Sequence, residues 1–284
     1  MNQPRTIITA SLTGSQGTKE KNHHTPITPD EIIEDALLCG KAGAAIVHIH
    51  VKADDGITGE IDYDKFKYIR EGIAKQSNLI INFSTSGEVN LGPDVEYMGT
   101  PDLAQTKRLG ILETMPEMGS FDVPTMNFEE SIFMNPLPFL RELGKGMQEK
   151  SILPEVEIYS VADIYQAELL IQEGALPSNP YYQFCLGIRG GTPPSVKNLL
   201  HLQESLPKGA NWSAFGIGVA HLPIMYATLA LGGHLRVGLE DNLYYRRGQL
   251  TSNVELIERA ARVIREFGNE VATPNEAREM LGIK

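Results

Sequence analysis

The segment AAIVHIHV, residues 44–51, carries the pattern that decides the fold. Successive side chains of a β-strand point to opposite faces. One face of this strand is apolar and consists of Ala45, Val47, Ile49 and Val51. The other face carries His48 and His50. A strand with one apolar face and one polar face predicts helices on one side and a polar interior on the other.

The same division recurs in later apolar stretches of the chain. Polar or small side chains occupy one face of these stretches, and they include Asn82, Ser84, Ser120, Asp122, Gly216, Arg236 and Glu240. In a doubly wound sheet, helices cover both faces, so both faces should be apolar. A barrel instead provides a shared interior for the polar face. The pattern therefore favours a barrel, with the doubly wound sheet as the structural alternative.

Strand-like and helix-like stretches alternate along the whole chain, which predicts an α/β protein. The predicted strands lie at 5–12, 44–51, 78–85, 118–123, 153–160, 181–188, 211–218 and 234–240. Eight such units in about 250 residues match the size of a TIM (β/α)8 barrel. Thr28 is the predicted N-cap of the first helix. Because no linker divides the chain, we expect one domain over residues 1–284, with a C-terminal helical extension over about 250–284 for packing or oligomer contacts.

Composition limits the function classes. The chain has 25 basic and 36 acidic residues, a net charge of −11 and no basic run, which argues against binding along a nucleic-acid backbone. No apolar run is long enough to span a bilayer. The N-terminus lacks the features of a secretory signal, so we expect a cytoplasmic protein. Cys39 and Cys185 lie far apart in apolar surroundings, which predicts reduced, packed thiols.

Three residues form a candidate metal site. His48 and His50 project from the same strand face, so both rings could bind one metal ion as neutral imidazoles. Glu240 ends the eighth strand within GLEDN (238–242), and in a barrel the eighth strand lies beside the first. Three protein ligands with open positions are typical of a catalytic site, although His/His/Glu suits several divalent ions. Taken separately, each histidine could instead be a hydrogen-bonded core residue. The acidic pair Glu240 and Asp241 could instead cap the N-terminus of a helix.

Other polar residues near the strand ends are candidates for catalysis and substrate binding. Asp241 has the opposite parity to Glu240, which favours a role as a base over one as a ligand. Arg236 could hold Asp241 or a substrate carboxylate. Ser84 and Thr85 offer hydroxyl and amide donors for a carboxylate or an oxyanion.

The remaining polar features are weaker candidates. Glu155 and Glu157 share one face of the fifth strand, where they could support the site or form salt bridges. The glycine-rich segment 187–195 is better explained as a plain βα loop than as a phosphate site. His201 and His221 lie on helical stretches, which makes them poor candidates for further metal ligands.

Several motifs together resemble the β-keto acid cleavage enzyme family, in the same order and over nearly the whole chain. These motifs are IITASLTG (7–14), HIHV (48–51), STSG (84–87), PEVEIY (154–159), GLEDN (238–242) and TPNEARE (273–279). The resemblance implies a TIM barrel, one catalytic Zn²⁺ per chain and a homotetramer. It also implies a Claisen-type exchange, in which a β-keto acid and acetyl-CoA give acetoacetate and a new acyl-CoA through a metal-stabilised enolate.

The resemblance also implies roles for individual residues. These are zinc ligation by His48, His50 and Glu240, base catalysis by Asp241 with Arg236 as its partner, and substrate binding by Ser84. Ser120 stands where the family can carry threonine, so a hydroxyl is kept. Gln16 stands where the aminohexanoate enzyme has a glutamate that can meet the substrate's ammonium group. A neutral amide cannot provide that ion pair, so we expect a β-keto acid whose tail is uncharged or differently polar.

Two other functions fit parts of the pattern. Metal-dependent hydrolases of the amidohydrolase type also use two histidines on one strand. That family normally places them on its first strand with further histidines from later strands, whereas here they lie on the second. A metal- or ligand-binding protein without turnover would bind zinc and exchange no acyl group. The acidic residue beside the predicted metal ligands argues against this second alternative.

Overall fold

Eight parallel strands pair in sequence order and close into a barrel in the computed structural model, which describes residues 4–86, 101–128 and 131–284. The strands are β1 (Ile8–Ser11), β2 (Ile46–Ile49), β3 (Ile80–Phe83), β4 (Met118–Asp122), β5 (Leu153–Ile158), β6 (Tyr181–Leu186), β7 (Trp212–Gly216) and β8 (His234–Val237). Leu235 of β8 lies opposite Ile8 of β1 and completes the closure. The predicted TIM barrel is confirmed, and the open doubly wound alternative is wrong.

Helices follow the strands in turn. In the described residues they are α1 (Pro29–Ala42), α2 (Tyr63–Ala74), α3 (Pro101–Gly110), α4 (Leu137–Glu149), α5 (Val161–Gln172), α6 (Val196–Glu204), α7 (His221–Ala230), α8 (Asn253–Glu266) and α9 (Pro274–Leu281). Thr28 caps α1 as predicted. Its side chain accepts a hydrogen bond from the Glu31 amide, and the Glu31 carboxylate accepts one from the Thr28 amide.

The apolar strand faces pack against the helices. Val47 and Ile49 of β2 are completely buried, in one cluster with Ile32 of α1 and Phe66 of α2. Burial of one such aliphatic side chain contributes about 1.5–3 kcal/mol to stability. His48, which lies between Val47 and Ile49, therefore faces the barrel interior. The two cysteines of the chain are buried and form no disulfide.

The predicted C-terminal extension divides into two parts with different places in the fold. α8 packs against β1, β8, α1 and α7, so it completes the helical layer of the barrel. α9 covers the end of the barrel where the strands begin. There Ala277 and Leu281 pack against Ile7, Ile46 and Tyr181. The chain thus closes the amino-terminal end of the barrel with an apolar helix face.

Antiparallel hairpins surround the opposite end of the barrel, where the strands finish. They pair Val51–Lys52 with Gly59–Glu60, Met126–Phe128 with Ser131–Phe133, and Tyr244–Arg246 with Gln249–Leu250. Residues 187–195 form a loop before α6, as predicted. In TIM barrels this carboxyl-terminal end carries the active site. None of the helices in the described part of the chain combines the length and apolar character that a membrane span requires.

Candidate active site

A cavity of about 1230 Å³ opens at the carboxyl-terminal end of the barrel. Polar side chains from β2, β5 and the end of β8 line its deepest part, and they are His48, His50, Glu157, Arg236, Glu240 and Asp241. Most of these side chains are buried. Buried polar groups are costly unless they are paired, so their collection in one cavity indicates a functional site.

The three predicted metal ligands meet in this cavity. The Nε2 atoms of His48 and His50 lie 3.1 Å apart. The Glu240 carboxylate lies 3.3 Å from His50 Nε2 through Oε1 and 3.7 Å from His48 Nε2 through Oε2. One ligand atom from each residue lies within 4.8 Å of the others. Glu240 Oε2 is buried without a hydrogen-bond partner in the described structure. Two imidazole nitrogens and a carboxylate oxygen that converge in this way fit a divalent metal ion.

The surroundings of His48 suit a metal ligand. Burial lowers the pKa of His48 to about 4, so its ring is neutral at physiological pH, the state that binds metal. The His48 Nδ1 atom lies 3.8 Å from Glu155 Oε1. Glu155 is completely buried and accepts a hydrogen bond of 2.8 Å from Asn82. Burial raises the pKa of Glu155 to about 8. The 3.8 Å separation is longer than a hydrogen bond, so Glu155 is a neighbour of the His48 ring, and His48 Nδ1 has no hydrogen-bond partner among the described residues.

Arg236 joins the predicted metal ligand Glu240 to the predicted base Asp241. Its NH2 atom donates to Glu240 Oε1 at 2.8 Å and to Asp241 Oδ1 at 3.2 Å, and its Nε donates to Asp241 Oδ2 at 3.1 Å. Burial alone would raise the pKa of Glu240, but Arg236 and the two histidines hold it well below its usual range. The sequence-predicted pairing of Arg236 with Asp241 is thus present in the structure.

Asp241 is held by two neighbours. Besides Arg236, the Ser11 hydroxyl donates to Asp241 Oδ2 at 2.6 Å. Burial raises the pKa of Asp241 to about 6, against the opposing effect of Arg236. Sequence reasoning missed Ser11, although it lies in the motif IITASLTG. The sequence signal that could have identified Ser11 is its position, because Ser11 ends β1 directly opposite His48 of β2.

The predicted substrate-binding hydroxyls divide between two positions. Ser84 and Ser120 line the cavity, and the Ser84 hydroxyl lies 2.6 Å from that of Ser86. Thr85 is completely buried and outside the cavity lining. Its hydroxyl donates to the Ser120 carbonyl, and its amide donates to the Ser120 hydroxyl. Thr85 therefore holds Ser120 in place. Gly87 of the same motif lies outside the described residues.

Gln16 lies in the loop after β1, where it is exposed and lines the cavity. This position agrees with the prediction that residue 16 faces the substrate, and the predicted substrate-binding role stays a prediction. Its neighbours in the lining from the same loop are Gly14, Ser15, Gly17 and Lys21.

His221 belongs to the cavity lining, although the group of possible metal ligands in the described part of the chain does not include it. It is the first residue of α7, and the first turn of that helix faces the barrel mouth. Asn242 fixes its ring, with Nδ2 lying 3.0 Å from His221 Nδ1. Asn242 also donates to the Gly216 carbonyl and accepts from the Gly218 amide. The only sequence signal for this contact is the place of Asn242 in GLEDN.

A second polar group adjoins Arg236 on the other side of the cavity. Glu157 Oε1 lies 3.4 Å from Arg236 NH1, so the expected salt bridge of this residue is present. The Tyr159 hydroxyl donates to Glu157 Oε2 at 2.8 Å and lies 3.1 Å from Asp122 Oδ1. Burial and the nearby Glu157 raise the pKa of Asp122 well above its usual value, which favours its protonated form. Burial would also raise the pKa of Glu157, but Arg236 keeps it low.

Comparison with known proteins shows which enzymes this chain is similar to. Residues 5–283 match the model of the beta-keto acid cleavage enzyme family. A 3-keto-5-aminohexanoate cleavage enzyme of Fusobacterium nucleatum subsp. nucleatum is 37% identical over 281 residues, covering 98% of each chain. A 3-oxoadipate:acetyl-CoA acetyltransferase of Cupriavidus necator is 33% identical over 288 residues, covering 100% of this chain and 96% of that one.

A solved structure supports the fold. The ternary complex of ObcA with C4-CoA adduct and oxalate has a TM-score of 0.78 at 19% identity, covering 91% of this chain and 67% of the other. At this identity the likeness concerns the fold alone. The family match, in contrast, spans nearly the whole sequence, and relatives above 30% identity align from end to end. The chain therefore belongs to the beta-keto acid cleavage enzyme family.

Proposed function

We propose that this protein is a zinc-dependent enzyme that exchanges acyl groups between a β-keto acid and acetyl-CoA, giving acetoacetate and a new acyl-CoA. The observation that carries the proposal is the convergence of His48, His50 and Glu240 beside Asp241 and Arg236 at the bottom of the cavity. Family membership and a relative named as an acetyl-CoA acetyltransferase support this reaction class.

His48, His50 and Glu240 would hold the metal ion. When bound, a divalent ion at this point would draw electron density from the keto oxygen of the substrate and make the C2 protons more acidic. Zinc is the proposed ion, because two imidazoles and one carboxylate with open positions are a common catalytic zinc set. The same ligands also suit other divalent ions, so metal identity is itself a measurable quantity.

Asp241 would take the proton from C2 of the β-keto acid. Its carboxylate is held by Ser11 and Arg236, so it keeps one orientation toward the cavity. The C2 carbanion, stabilised as its enolate, then attacks the thioester carbonyl of acetyl-CoA. A C–C bond forms, the C–S bond breaks and CoA leaves as the thiolate.

The second half of the exchange reverses these steps at the bond between C2 and the original keto carbon. The CoA thiolate attacks the original keto carbon, and the bond between that carbon and C2 breaks. The products are the new acyl-CoA and the enolate of acetoacetate, which regains a proton from Asp241. The Ser84 and Ser120 hydroxyls would bind the substrate carboxylate or the oxyanion that forms during attack. No side chain needs to become a covalent nucleophile.

Gln16 bears on the choice of β-keto acid. It lines the cavity with a neutral amide, so we propose a substrate whose tail is uncharged or differently polar. The test compares turnover of 3-keto-5-aminohexanoate with turnover of unaminated β-keto acids of similar length. We expect the unaminated acids to react faster. A clear preference for the amine would refute this part of the proposal.

The metal requirement is tested by measuring acetoacetate formed from acetyl-CoA and a panel of β-keto acids, before and after chelation and zinc replacement. We expect chelation to remove turnover and zinc to restore it. His48→Ala should lose both bound metal and turnover, because it removes one of three ligands. His24→Ala, which changes an exposed loop histidine, is the matched control and should keep both. Full activity of His48→Ala would contradict the assignment.

The role of Asp241 is tested separately from metal binding. Asp241→Asn should retain metal, because Glu240 is unchanged, while turnover falls by about 10²–10⁴. Deuterium uptake at C2 of the β-keto acid in D₂O, without acetyl-CoA, should fall in parallel, because it reports proton removal alone. Normal uptake by Asp241→Asn would show that another group is the base. A hydrolase of the amidohydrolase type would instead form product without any need for acetyl-CoA.

A further inference from the structure

The cavity extends well beyond the groups that would react. Residues 244–248 line its outer part and belong to the hairpin formed by Tyr244–Arg246 and Gln249–Leu250, here called the arginine hairpin. This hairpin begins two residues after Asn242. The cavity volume of about 1230 Å³ exceeds the roughly 300–1,000 Å³ of most small-molecule sites. A β-keto acid alone would leave most of this space unfilled, so the outer part has room for a second, larger ligand.

The arginine hairpin presents two adjacent cations to this space. Arg246 and Arg247 are both exposed and both line the cavity, in a chain whose net charge is −11. Arg246 Nε donates to Gln249 Oε1 at 2.8 Å. Within the part of the chain that the structure describes, neither guanidinium makes an ion pair with a carboxylate. Guanidinium groups bind phosphates in a planar, two-pronged geometry, so this pair is suited to a phosphorylated ligand.

The arginine hairpin is fixed in position by α8. The Arg259 guanidinium lies 3.3 Å from the centre of the Tyr245 ring, and its NH2 atom donates to the Tyr245 carbonyl at 2.6 Å. Arg259 itself is buried. At the hairpin tip, Gly248 has φ of 76°, which the turn requires and which other residues rarely adopt. A ligand would therefore meet a hairpin whose backbone is already anchored, which lowers the entropic cost of binding.

An apolar wall lines the same part of the molecule. Val219, in the turn Gly218–Ala220, is completely exposed, and Leu222 on α7 is 36% exposed. Both line the cavity. Aliphatic side chains exposed inside a binding cavity gain stability when a ligand with apolar parts covers them. The outer cavity thus combines a cationic side with an apolar side.

We propose that Arg246 and Arg247 bind the phosphate groups of the acyl-CoA co-substrate, with Val219 and Leu222 as the wall for its pantetheine arm. This inference rests on the proposed function. Five residues lead from Asp241 to Arg246, which span at most about 18 Å. The extended pantetheine arm that separates the CoA thiol from its phosphates has a length of the same order. Phosphates at the arginine hairpin therefore allow the thioester to reach the reacting groups.

The test uses the double variant R246Q/R247Q and two acetyl donors. Acetyl-CoA carries the phosphates, whereas S-acetyl-N-acetylcysteamine carries the thioester without them. We expect kcat/KM for acetyl-CoA to fall by about tenfold or more, mainly through KM, because two charge-assisted phosphate contacts are lost. For the phosphate-free donor, kcat/KM should fall by less than about twofold, since surface charges without a partner contribute little. The control K208Q/R265Q removes two exposed cations outside the cavity lining and should change neither donor's kinetics.

A second measurement needs no turnover. Calorimetric titration of CoA into the wild type and into R246Q/R247Q should give a dissociation constant at least about tenfold higher for the variant, with a smaller dependence on salt. Equal loss on both acetyl donors, or undiminished CoA binding by the variant, would overturn the phosphate assignment and leave the proposed function standing. If the wild type neither binds CoA nor exchanges acyl groups, the phosphate assignment and the proposed function are both wrong.

Discussion

At the scale of single residues, Arg236 determines which acidic groups of the interior are charged. Glu240, Asp241 and Glu157 all lie within 3.4 Å of its guanidinium nitrogens. Asp122 lies farther into the network, where it contacts Tyr159. A buried carboxylate needs a nearby cation, and a carboxyl group without one stays protonated. Arg236 thus compensates the charge of these three carboxylates, while burial favours the protonated forms of Asp122 and Glu155.

This charge pattern predicts different effects for two similar substitutions. Asp122→Asn puts a neutral amide in place of a carboxyl group whose raised pKa favours the neutral form, so we expect the free energy of unfolding to change by less than about 1 kcal/mol. Glu157→Gln removes a carboxylate partner of buried Arg236 and should lower the free energy of unfolding by about 1–3 kcal/mol. Urea unfolding at pH 7 measures both. If Asp122→Asn lowers the free energy of unfolding more than Glu157→Gln does, the negative charge of the pair resides on Asp122 and not on Glu157.

At the scale of structural elements, the end of β8 is brought unusually close to β1. A Cβ at Gly238 would lie 1.9 Å from the Ser11 carbonyl oxygen and 2.6 Å from the Ser11 hydroxyl. Only glycine fits this contact. The approach matters for the site, because Glu240 and Asp241 lie two and three residues after Gly238 and the Ser11 hydroxyl donates to Asp241. One missing side chain therefore sets the distance between the carboxylates and the histidines of β2.

We expect Gly238→Ala to damage both stability and activity. The added methyl group forces β8 away from β1, which should lower the free energy of unfolding by about 1–3 kcal/mol. Turnover should fall as well, since Glu240 and Asp241 move with the strand end. Gly59→Ala is the matched control for folding, because its nearest contact would be an ordinary 3.7 Å to Ser15. Urea unfolding measures the stability change, and wild-type stability of Gly238→Ala would contradict the steric argument.

A second element-scale contact ties α1 to α8. Asn253 Nδ2 donates to Asp35 at 2.6 Å and to the Leu12 carbonyl at 3.1 Å, and the Leu239 amide donates to Asn253 Oδ1. Burial raises the pKa of Asp35 from 3.8 to about 6, although the hydrogen bond from Asn253 opposes the change. Between these two values the unfolded chain releases the Asp35 proton and the folded chain retains it.

The contribution of Asp35 to stability therefore falls as pH rises from about 4 to about 6, and it is constant above. Asp35→Asn keeps an acceptor for Asn253 and has no proton to lose. Relative to wild type, it should gain at most about 3 kcal/mol of unfolding free energy above pH 6, and this gain should vanish toward pH 4. Paired urea unfolding of variant and wild type across this range measures the difference. A difference independent of pH would argue against a raised pKa.

At the scale of the whole molecule, the two ends of the barrel have different tasks. The carboxyl-terminal end holds the polar cavity, whereas the amino-terminal end is apolar and covered by α9. In TIM barrels, residues at the first end serve catalysis and residues at the second serve stability. Substitutions at the α9 end should therefore change folding and leave the chemistry unaltered.

Leu281→Ala tests this separation. Leu281 is buried against the beginnings of the strands, so its truncation should lower the free energy of unfolding by about 2–5 kcal/mol. Well below the unfolding transition, kcat/KM should equal that of wild type. Glu279→Ala, an exposed change on the same helix, should alter neither property. A loss of activity in folded Leu281→Ala protein would show that the two ends are coupled.

Much of this architecture is determined by local sequence. The alternation of apolar and polar residues in AAIVHIHV places His48 and His50 on one face, because the strand repeat is two residues. The same parity places Thr85 opposite to Ser84, which agrees with its contact to Ser120. Eight alternating units bring the eighth strand beside the first, so the meeting of Glu240 with the histidines follows from the order of the chain.

Tertiary structure alone decided the contacts that depend on distant neighbours. Ser11 and Asp241 are 230 residues apart, and no local pattern predicts their 2.6 Å hydrogen bond. The place of His221 in the cavity depends on how the first turn of α7 meets the barrel mouth. The raised pKa of Asp122 likewise depends on the sum of burial and surrounding charge. Strand periodicity is a property of successive residues, whereas burial and charge balance exist only once the barrel has closed.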